Sequence, residues 1–232
     1  MTRLLVHVEG QTEEDFVNEV LAPQLLNHGY TNVSARIVGN VRQRDHRGGI
    51  RGWDSVKKDI VRHLKEDRNA ISTMMVDYYA LPSSGNKAWP GRDHASLLPF
   101  SQKASFIENA LLNDIQSEMG DDFNSSRFIP NIIMHEFEGL LFSDCDAFAN
   151  AIGFNHLAPQ LQLIRDAFQS PEYINDSPQT APSKRIKNLI PNYQKPLYGN
   201  IGILAIGLPK IEQECAIFGS WIRHLKDIGA VC

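Results

Sequence analysis

Short apolar runs alternate with stretches whose apolar residues recur at helical spacing along about the first 140 residues. The runs are rich in β-branched residues and predict strands at Arg3–Val8, Val33–Val38, Ile71–Val76 and Phe128–Met134. The stretches between them predict helices from Thr12 to about His28, over Trp53–Lys65 and over Phe106–Met119. This alternation favours an α/β fold, with a mostly parallel sheet and helices on both faces.

The rest of the chain, from about residue 144, is typical of helices joined by proline-rich segments, and Ile211–Leu225 is the last of them. The sequence contains no internal repeat, no low-complexity tract and no clear linker. We therefore expect one α/β domain over residues 1–232, with a mainly helical extension at about 144–232 packed on it.

Several features of the sequence indicate a protein of the cytoplasm. The longest apolar runs, such as Ile71–Val76 and Ile201–Leu208, are too short to span a bilayer, so no membrane association is expected. The N-terminus lacks the charged, apolar and small-residue segments of a secretory signal. Cys145, Cys215 and Cys232 match no zinc or redox spacing, and we expect them to be reduced thiols.

The charge balance of the chain restricts its function. A formal net charge of −4 and a pI near 6.1 argue against a protein that coats nucleic acid by charge alone. They do not exclude an enzyme that meets a phosphate backbone through bound metal ions, because such sites are rich in acids. The sequence also has no glycine-rich phosphate loop, which excludes a P-loop ATPase.

Acidic residues follow three of the four predicted strands. Glu9 follows the first strand, Asp77 the third and Glu136 the fourth. The carboxyl ends of parallel strands meet at one edge of a sheet, where open α/β folds bind their ligands. Glu13 lies four residues after Glu9, across the predicted turn into the first helix, and Glu138 follows two residues after Glu136. We therefore expect these acids to share one pocket at the strand ends.

Carboxylates gathered this closely repel one another unless protons or a cation intervene. Oxygen ligands favour a hard cation, Mg²⁺ or Mn²⁺, and His135 is a candidate supplementary ligand because it lies at i, i+3 from Glu138. The alternative is that Glu13, Glu14 and Glu136 stabilise only the N-terminal ends of helices. The sequence leaves both interpretations open.

Four segments of the chain resemble known families. Val8–Glu14 resembles the first motif of Toprim domains, in particular those of overcoming-lysogenization-defect (OLD) nucleases, which are fused to or partnered with ABC-type ATPases. Three segments are similar to a Toprim-like bacterial family known as domain of unknown function 4276 (DUF4276): Val76–Pro82, His135–Asp144 and Thr180–Arg185. The resemblance covers nearly the whole chain.

The resemblance implies a catalytic centre that holds Mg²⁺ or Mn²⁺. By similarity to Toprim domains, Glu9, Glu13 and Asp77 are metal ligands. Toprim enzymes carry Asp-x-Asp after the third strand, whereas Tyr79 occupies the second of these positions here. Glu136 or Glu138 is the candidate to replace the missing aspartate; without a replacement the site is weakened or inactive.

The resemblance also implies a basic residue that steadies a phosphate. Lys184 is the first candidate and Lys210 the second, and the alternative for both is a solvated surface. The predicted catalytic residues are Glu9, Asp77 and Lys184. The predicted pocket is completed by Gly10, Tyr79 and His135.

One segment of the chain is strongly basic. Arg42, Arg44, Arg47 and Arg51 flank a Gly-Gly pair, and beside an acidic pocket they are candidates to bind a nucleic-acid backbone. The alternative is a solvated loop. Trp89, in the irregular stretch after the third strand, is a candidate either to stack on a base or to pin that stretch to the body of the protein.

Three hypotheses follow from these observations. The first is a Mg²⁺-dependent nucleic-acid phosphodiesterase, a Toprim-like nuclease that works with an ATPase partner in a bacterial defence or DNA-processing system. The second, favoured by Tyr79 and the negative net charge, is a catalytically silent or conditionally active subunit that regulates an ATPase. The third is a hydrolase of small nucleotides or phosphoesters that uses the same pocket.

Overall fold

A computed structural model of the protein describes residues 2–38, 50–174 and 180–231. Its strands are β1 (Thr2–Val8), β2 (Tyr30–Ile37), β3 (Ala70–Asp77), β4 (Phe128–Ile129) and β5 (Ile132–Ile133). Helix α1 (Gln11–Phe16) continues through a π-helical segment (Val17–Leu21) into α2 (Ala22–Leu26). The next helices are α3 (Trp53–Glu66), α4 (Arg92–Ala95) and α5 (Phe100–Met119).

The C-terminal part of the chain is mainly helical. Its helices are α6 (Cys145–Ala151), α7 (Ala158–Asp166), α8 (Pro182–Leu189), α9 (Lys195–Ile206), α10 (Leu208–Glu214) and α11 (Ala216–Val231). Short 3₁₀ segments connect several elements, and the ones that matter for the site are Tyr78–Ala80 and Phe137–Ser143. No helix in the described ranges is long and apolar enough to cross a membrane.

The sheet has the order β2-β1-β3-β4, and β5 also pairs with β3, beyond β4. All strand pairings of the described residues are parallel. The carboxyl ends of these strands therefore lie along one edge of the sheet. The predicted fold class, a mostly parallel α/β sheet with a helical C-terminal part, is confirmed.

Two apolar cores cover the two faces of the sheet. Alternate residues of β1, Leu4, Val6 and Val8, belong to the larger core, which α1, α2 and the C-terminal helices complete. Met74 and Val76 of β3 belong to the smaller core, together with α3 and α5. Because helices cover both faces, the open edge at the strand ends is where polar side chains can gather without disrupting either core.

The predicted strand Phe128–Met134 is wrong in extent. It consists of β4 and β5, two residues each, separated by Pro130 and Asn131. Proline has no N–H to donate to a neighbouring strand, so the ladder stops at Pro130 and resumes after it. The residues Phe137–Ser143 then form a buried 3₁₀ segment.

Candidate functional site

The parallel register places Glu9 and Asp77 at neighbouring strand ends. Val8 pairs with Met75, so Glu9 leaves β1 beside the last residues of β3. The backbone N–H of Asp77 donates a hydrogen bond to the Glu9 carboxylate. Both side chains are partly buried, and the structure brings these two predicted site residues to adjacent strand ends.

Electrostatic repulsion acts within this pair. Burial, followed by repulsion from Glu13, raises the pKa of Glu9 to about 7. Burial and repulsion from Glu9 raise the pKa of Asp77 well above its usual value. Lys195 opposes both shifts, and Glu136 adds to both. The two carboxyls therefore retain protons at a pH where isolated acids are ionised, unless a cation stabilises their charges.

Glu13 serves the N-terminus of α1 and faces the acids at the same time. Its Oε2 accepts a hydrogen bond from the Gly10 N–H at 3.1 Å, which is half of a capping box. The side chain is 8% exposed and repels both Glu9 and Asp77. The two interpretations that the sequence left open for Glu13 are therefore compatible, because one carboxylate oxygen binds the helix end while the charge acts on the strand ends.

Glu136 binds the start of α8, a helix that is distant from it in sequence. Its Oε2 accepts from the Ser183 N–H at 2.9 Å, at the N-terminal end of α8. A carboxylate is stabilised there by the free backbone N–H groups and the helix dipole. Glu136 therefore ties α8 to the strand ends, and its charge also repels Glu9 and Asp77.

Glu138 pairs with a lysine that the sequence analysis did not identify. Its carboxylate is fully buried, and its Oε2 lies 3.0 Å from Nζ of Lys195, the first residue of α9. Burial raises the pKa of Glu138, and Lys195 lowers it in part. Burial lowers the pKa of Lys195, but Glu138, Glu13 and Asp77 outweigh that effect and raise it, so the ammonium stays charged.

We call this group the strand-end pocket. It comprises the carboxylates of Glu9, Glu13, Asp77, Glu136 and Glu138, and the ammonium of Lys195.

Close helix packing fixes the position of Lys195. A Cβ atom on Gly199 would lie 3.3 Å from Cγ2 of Thr12, and one on Gly202 would lie 2.6 Å from Cδ2 of Phe148. The two glycines thus allow α9 to approach α1 and α6 more closely than side chains would permit. The first residue of α9 consequently reaches the edge of the sheet.

A signal for Lys195 exists in the sequence. The following residue, Pro196, lies where proline commonly begins a helix, so Lys195 stands in the first turn. A cation in that position is disfavoured by the helix dipole unless acids lie nearby. Lys195 was therefore identifiable as a residue in need of acidic partners, although its particular partners depend on the tertiary structure.

His135 lies against Glu136 and Glu172. Its Nδ1 lies 2.7 Å from the Glu136 carbonyl, which can only accept, so the ring is protonated at Nδ1. Burial lowers the pKa of His135, and Nε2 has no hydrogen-bond partner among the described residues. A Cβ atom on Gly139 would lie 2.6 Å from Nδ1, so this glycine leaves space for the ring.

The two lysines suggested by the sequence lie in other surroundings. Lys184 is exposed on α8, next to the Ser183 N–H that binds Glu136. Lys210 pairs with Glu214 at 2.9 Å along α10. Their predicted role at a phosphate is not tested by these positions, but Lys195 is the lysine that acts on Glu9 and Asp77.

Of the predicted arginines, Arg42, Arg44 and Arg47 lie outside the described residues. The Arg51 guanidinium donates to the Val38 carbonyl at 2.9 Å and to the Asp59 carboxylate at 2.6 Å. It therefore helps to attach the chain to the end of β2.

Trp89 is buried and pins its segment to the body of the protein. The indole is 2% exposed, and its Nε1 donates to the Arg51 carbonyl at 3.1 Å. It packs against Trp53 with the ring centroids 5.0 Å apart. A tryptophan in this position is not accessible to a base, so of the two interpretations the one in which Trp89 anchors its segment to the body of the protein is correct.

The chemistry of the strand-end pocket fits a hard divalent cation. All five acids offer oxygen atoms, and burial together with repulsion from neighbouring carboxylates raises the pKa values of Glu9 and Asp77 in spite of Lys195. In the described ranges, no three His, Cys, Asp or Glu side chains are already grouped closely enough to hold a metal ion. In this arrangement Glu13, Glu136 and Glu138 each use one carboxylate oxygen for another partner.

Solved structures with a similar chain course come from one protein of Xanthomonas campestris pv. campestris. The C-terminal region of its OLD protein, phased with iodine, is 16% identical, with 100% of this chain and 97% of that chain covered and a TM-score of 0.45. The platinum-phased structure is 15% identical, with 99% and 95% covered and a TM-score of 0.46. The mercury-phased structure is 17% identical, with 100% and 98% covered and a TM-score of 0.43.

No curated protein sequence matches the chain significantly. A family profile, however, matches almost all of it, over residues 8–226. That span includes every residue of the strand-end pocket. The chain belongs to the family described as domain of unknown function (DUF4276).

Proposed function

We propose that this protein is a Mg²⁺- or Mn²⁺-dependent phosphodiesterase that acts on nucleic acid. The observation that carries the proposal is the convergence of Glu9 and Asp77 at neighbouring strand ends. Burial raises both pKa values, repulsion from Glu13 adds to that of Glu9, and repulsion from Glu9 adds to that of Asp77. A pocket of this kind gains stability when a cation binds, since the cation removes the repulsion between the carboxylates. The Toprim-like motif around Glu9 supports the same function.

Glu9, Glu13 and Asp77 are the residues that would hold the metal. A bound Mg²⁺ would supply polarisation of the scissile phosphate and orientation of the attacking water. Glu136 is the better candidate for the missing second aspartate, because only its Oε2 is used by Ser183. Glu138 is the weaker candidate because it is fully buried against Lys195.

Lys195 replaces Lys184 as our candidate for the phosphate-binding lysine. Its side chain is 38% exposed, so it is accessible from solvent while Glu138 holds the ammonium in place. A fixed ammonium beside the carboxylates would attract a phosphate oxygen and limit its repulsion from the acids. This role is consistent with the charge that Lys195 retains.

The test is a plasmid-nicking assay with Mg²⁺ or Mn²⁺. We expect Glu9→Gln and Asp77→Asn to reduce nicking by more than about a hundredfold, because each removes a proposed metal ligand. Glu14→Gln is the matched control, since Glu14 lies in the same helical turn as Glu13 but binds Gln11 at 2.9 Å. Nicking that survives in Glu9→Gln would exclude this assignment.

A second candidate is a catalytically silent or conditionally active subunit that regulates an ATPase. The observation that favours it is the Lys195 ammonium, which already supplies one positive charge to the pocket. Co-purification with an ABC-type ATPase, and nicking only in the presence of that ATPase, would support this reading. A protein that nicks DNA alone and binds no ATPase would contradict it.

A further inference from the structure

An aromatic pair lies directly after Asp77 in the chain. Tyr78 and Tyr79 occupy the 3₁₀ segment that follows β3, with ring centroids 5.1 Å apart and planes at 86°. Tyr78 is 2% exposed, whereas Tyr79 is 46% exposed. The buried ring therefore supports an exposed ring two residues from a proposed metal ligand.

Contacts from two directions fix the buried ring of the pair. The Arg92 guanidinium lies 3.8 Å from the centroid of Tyr78. It also donates to the Tyr78 carbonyl at 3.0 Å and to the Tyr78 hydroxyl at 3.1 Å. Nζ of Lys103 lies 5.6 Å from the same centroid. The support for Tyr79 is thus rigid, and it carries two positive charges.

An exposed aromatic ring on a rigid, cationic support has the composition of a site for single-stranded nucleic acid. Such sites combine aromatic rings on which bases stack with cations that follow the phosphates. Every base offers a flat face to such a ring, but only a base that is not covered by its neighbours in a duplex can use it.

We propose that Tyr79 is the stacking platform of a nucleotide subsite, in which Arg92 and Lys103 attract the adjacent phosphates. The subsite would select unpaired nucleotides, either single strands or the open ends of duplexes. This inference rests on the proposed function, because it assigns the base next to the phosphate that the strand-end pocket would hold.

The test is direct binding of a fluorescein-labelled oligothymidylate of about 12 nucleotides, a length within the usual site size of such proteins. Fluorescence anisotropy in the presence of Ca²⁺ measures the binding of this single strand and, in parallel, of a labelled duplex of equal length. We expect Tyr79→Ala to weaken single-strand binding by about ten- to a hundredfold, the range for loss of one stacked base. Tyr79→Phe keeps the ring and should stay within about twofold of the wild type.

Two controls separate stacking from general effects. Leu97→Ala removes a side chain that is 85% exposed but has no aromatic face, and binding should not change. Lys103→Gln should reduce the salt dependence of binding while the effect of Tyr79→Ala persists. Duplex binding should be weaker than single-strand binding and insensitive to Tyr79→Ala.

Three results would overturn the subsite: no single-strand binding by the wild type, equal affinity for the duplex, or unchanged binding by Tyr79→Ala. The subsite and the proposed function fail independently. Loss of binding in Tyr79→Ala without any nicking by the wild type would keep the subsite and exclude the phosphodiesterase. Nicking that depends on Glu9, with unchanged binding by Tyr79→Ala, would support the phosphodiesterase and exclude the subsite.

Discussion

Two groups of charged residues in this protein have opposite compositions. In the strand-end pocket, carboxylates surround the ammonium of Lys195. In the second group, which we call the Asp59 cluster, guanidinium groups surround one carboxylate: Arg51 lies 2.6 Å, Arg62 2.5 Å and Arg36 4.0 Å from Asp59.

The pKa values of the two groups shift in opposite directions. Burial raises the pKa of Asp59, but the hydrogen bond and charge of Arg51, with the other arginines, outweigh burial and lower it. In the pocket, burial and repulsion raise the pKa of Glu9 to about 7. The Asp59 cluster is thus stabilised by its own residues, whereas the pocket is left with repulsion that a ligand could relieve. This difference is why we assign function to the pocket and structure to the cluster.

The largest expected effect on stability follows from removal of the Lys195 ammonium. Lys195→Met leaves the fully buried carboxylate of Glu138 without a partner, and we expect a decrease of about 3 kcal/mol in the free energy of unfolding. Urea denaturation at pH 7 measures it. The double variant Lys195→Met/Glu138→Gln should recover most of the loss.

The matched control for this change is Lys210→Met. It removes the ammonium that pairs with Glu214 on α10. The expected cost is about 0.5 kcal/mol, because the two lysines are equally exposed but Glu214 is 25% exposed whereas Glu138 is fully buried. Equal costs for the two lysine variants would show that Lys195 does not balance the pocket.

The next effect is a dependence of stability on pH. The pKa of Glu9 is about 7 in the folded protein and near 4.5 in an unfolded chain, so the folded state binds more protons between these values. The free energy of unfolding should therefore decrease as pH rises from about 4.5 to 7. Asp77 adds to this trend because its pKa is also raised.

Glu9→Gln isolates the contribution of one acid. Between about pH 4.5 and 7, the free energy of unfolding should fall by about 1–2 kcal/mol less in the variant than in the wild type. This value is smaller than the full pKa shift of Glu9 would give, because the side chain is partly exposed to solvent. Denaturation curves at several pH values measure the slope. A slope that is the same in the variant and the wild type contradicts the mutual repulsion of Glu9 and its neighbours.

The smallest effect is expected in the Asp59 cluster. Its contribution to the free energy of unfolding depends on pH in the opposite direction from that of Glu9. The pKa of Asp59 is lowered from 3.8, so its contribution is present above that pH and is lost as pH falls. Asp59→Asn should cost about 1 kcal/mol at pH 7, and less in about 1 M salt, which screens the exposed arginines. Thermal unfolding in low and high salt checks the prediction, and an effect that salt leaves unchanged would refute it.

Much of the strand-end pocket could be predicted from the sequence. The acids after the first and third strands were placed correctly, because apolar runs mark strands and parallel strands share an edge. The prediction of one strand over Phe128–Met134 was less accurate, since the run is mostly apolar and only Pro130 and Asn131 indicate where the ladder breaks. The fold class thus follows from periodicity, while element ends depend on single residues.

The partners within the site could not be predicted in the same way. Glu136 binds the start of α8, and Glu138 binds the start of α9, although these helices begin 46 and 57 residues later. Such pairings depend on how the C-terminal helices pack, which is decided by contacts such as those of Gly199 and Gly202. Trp89 had two interpretations because an indole suits both burial and stacking, and only its position decides between them.

The place of Lys195 at the start of α9 also bears on how the protein is made. The chain emerges from the ribosome with Glu9, Glu13 and Asp77 long before the residue that offsets their charge. Until α9 docks, the strand ends carry uncompensated repulsion, which favours the late closure of contacts distant in sequence. A nascent chain would thus remain without a complete strand-end pocket until nearly its whole length has folded.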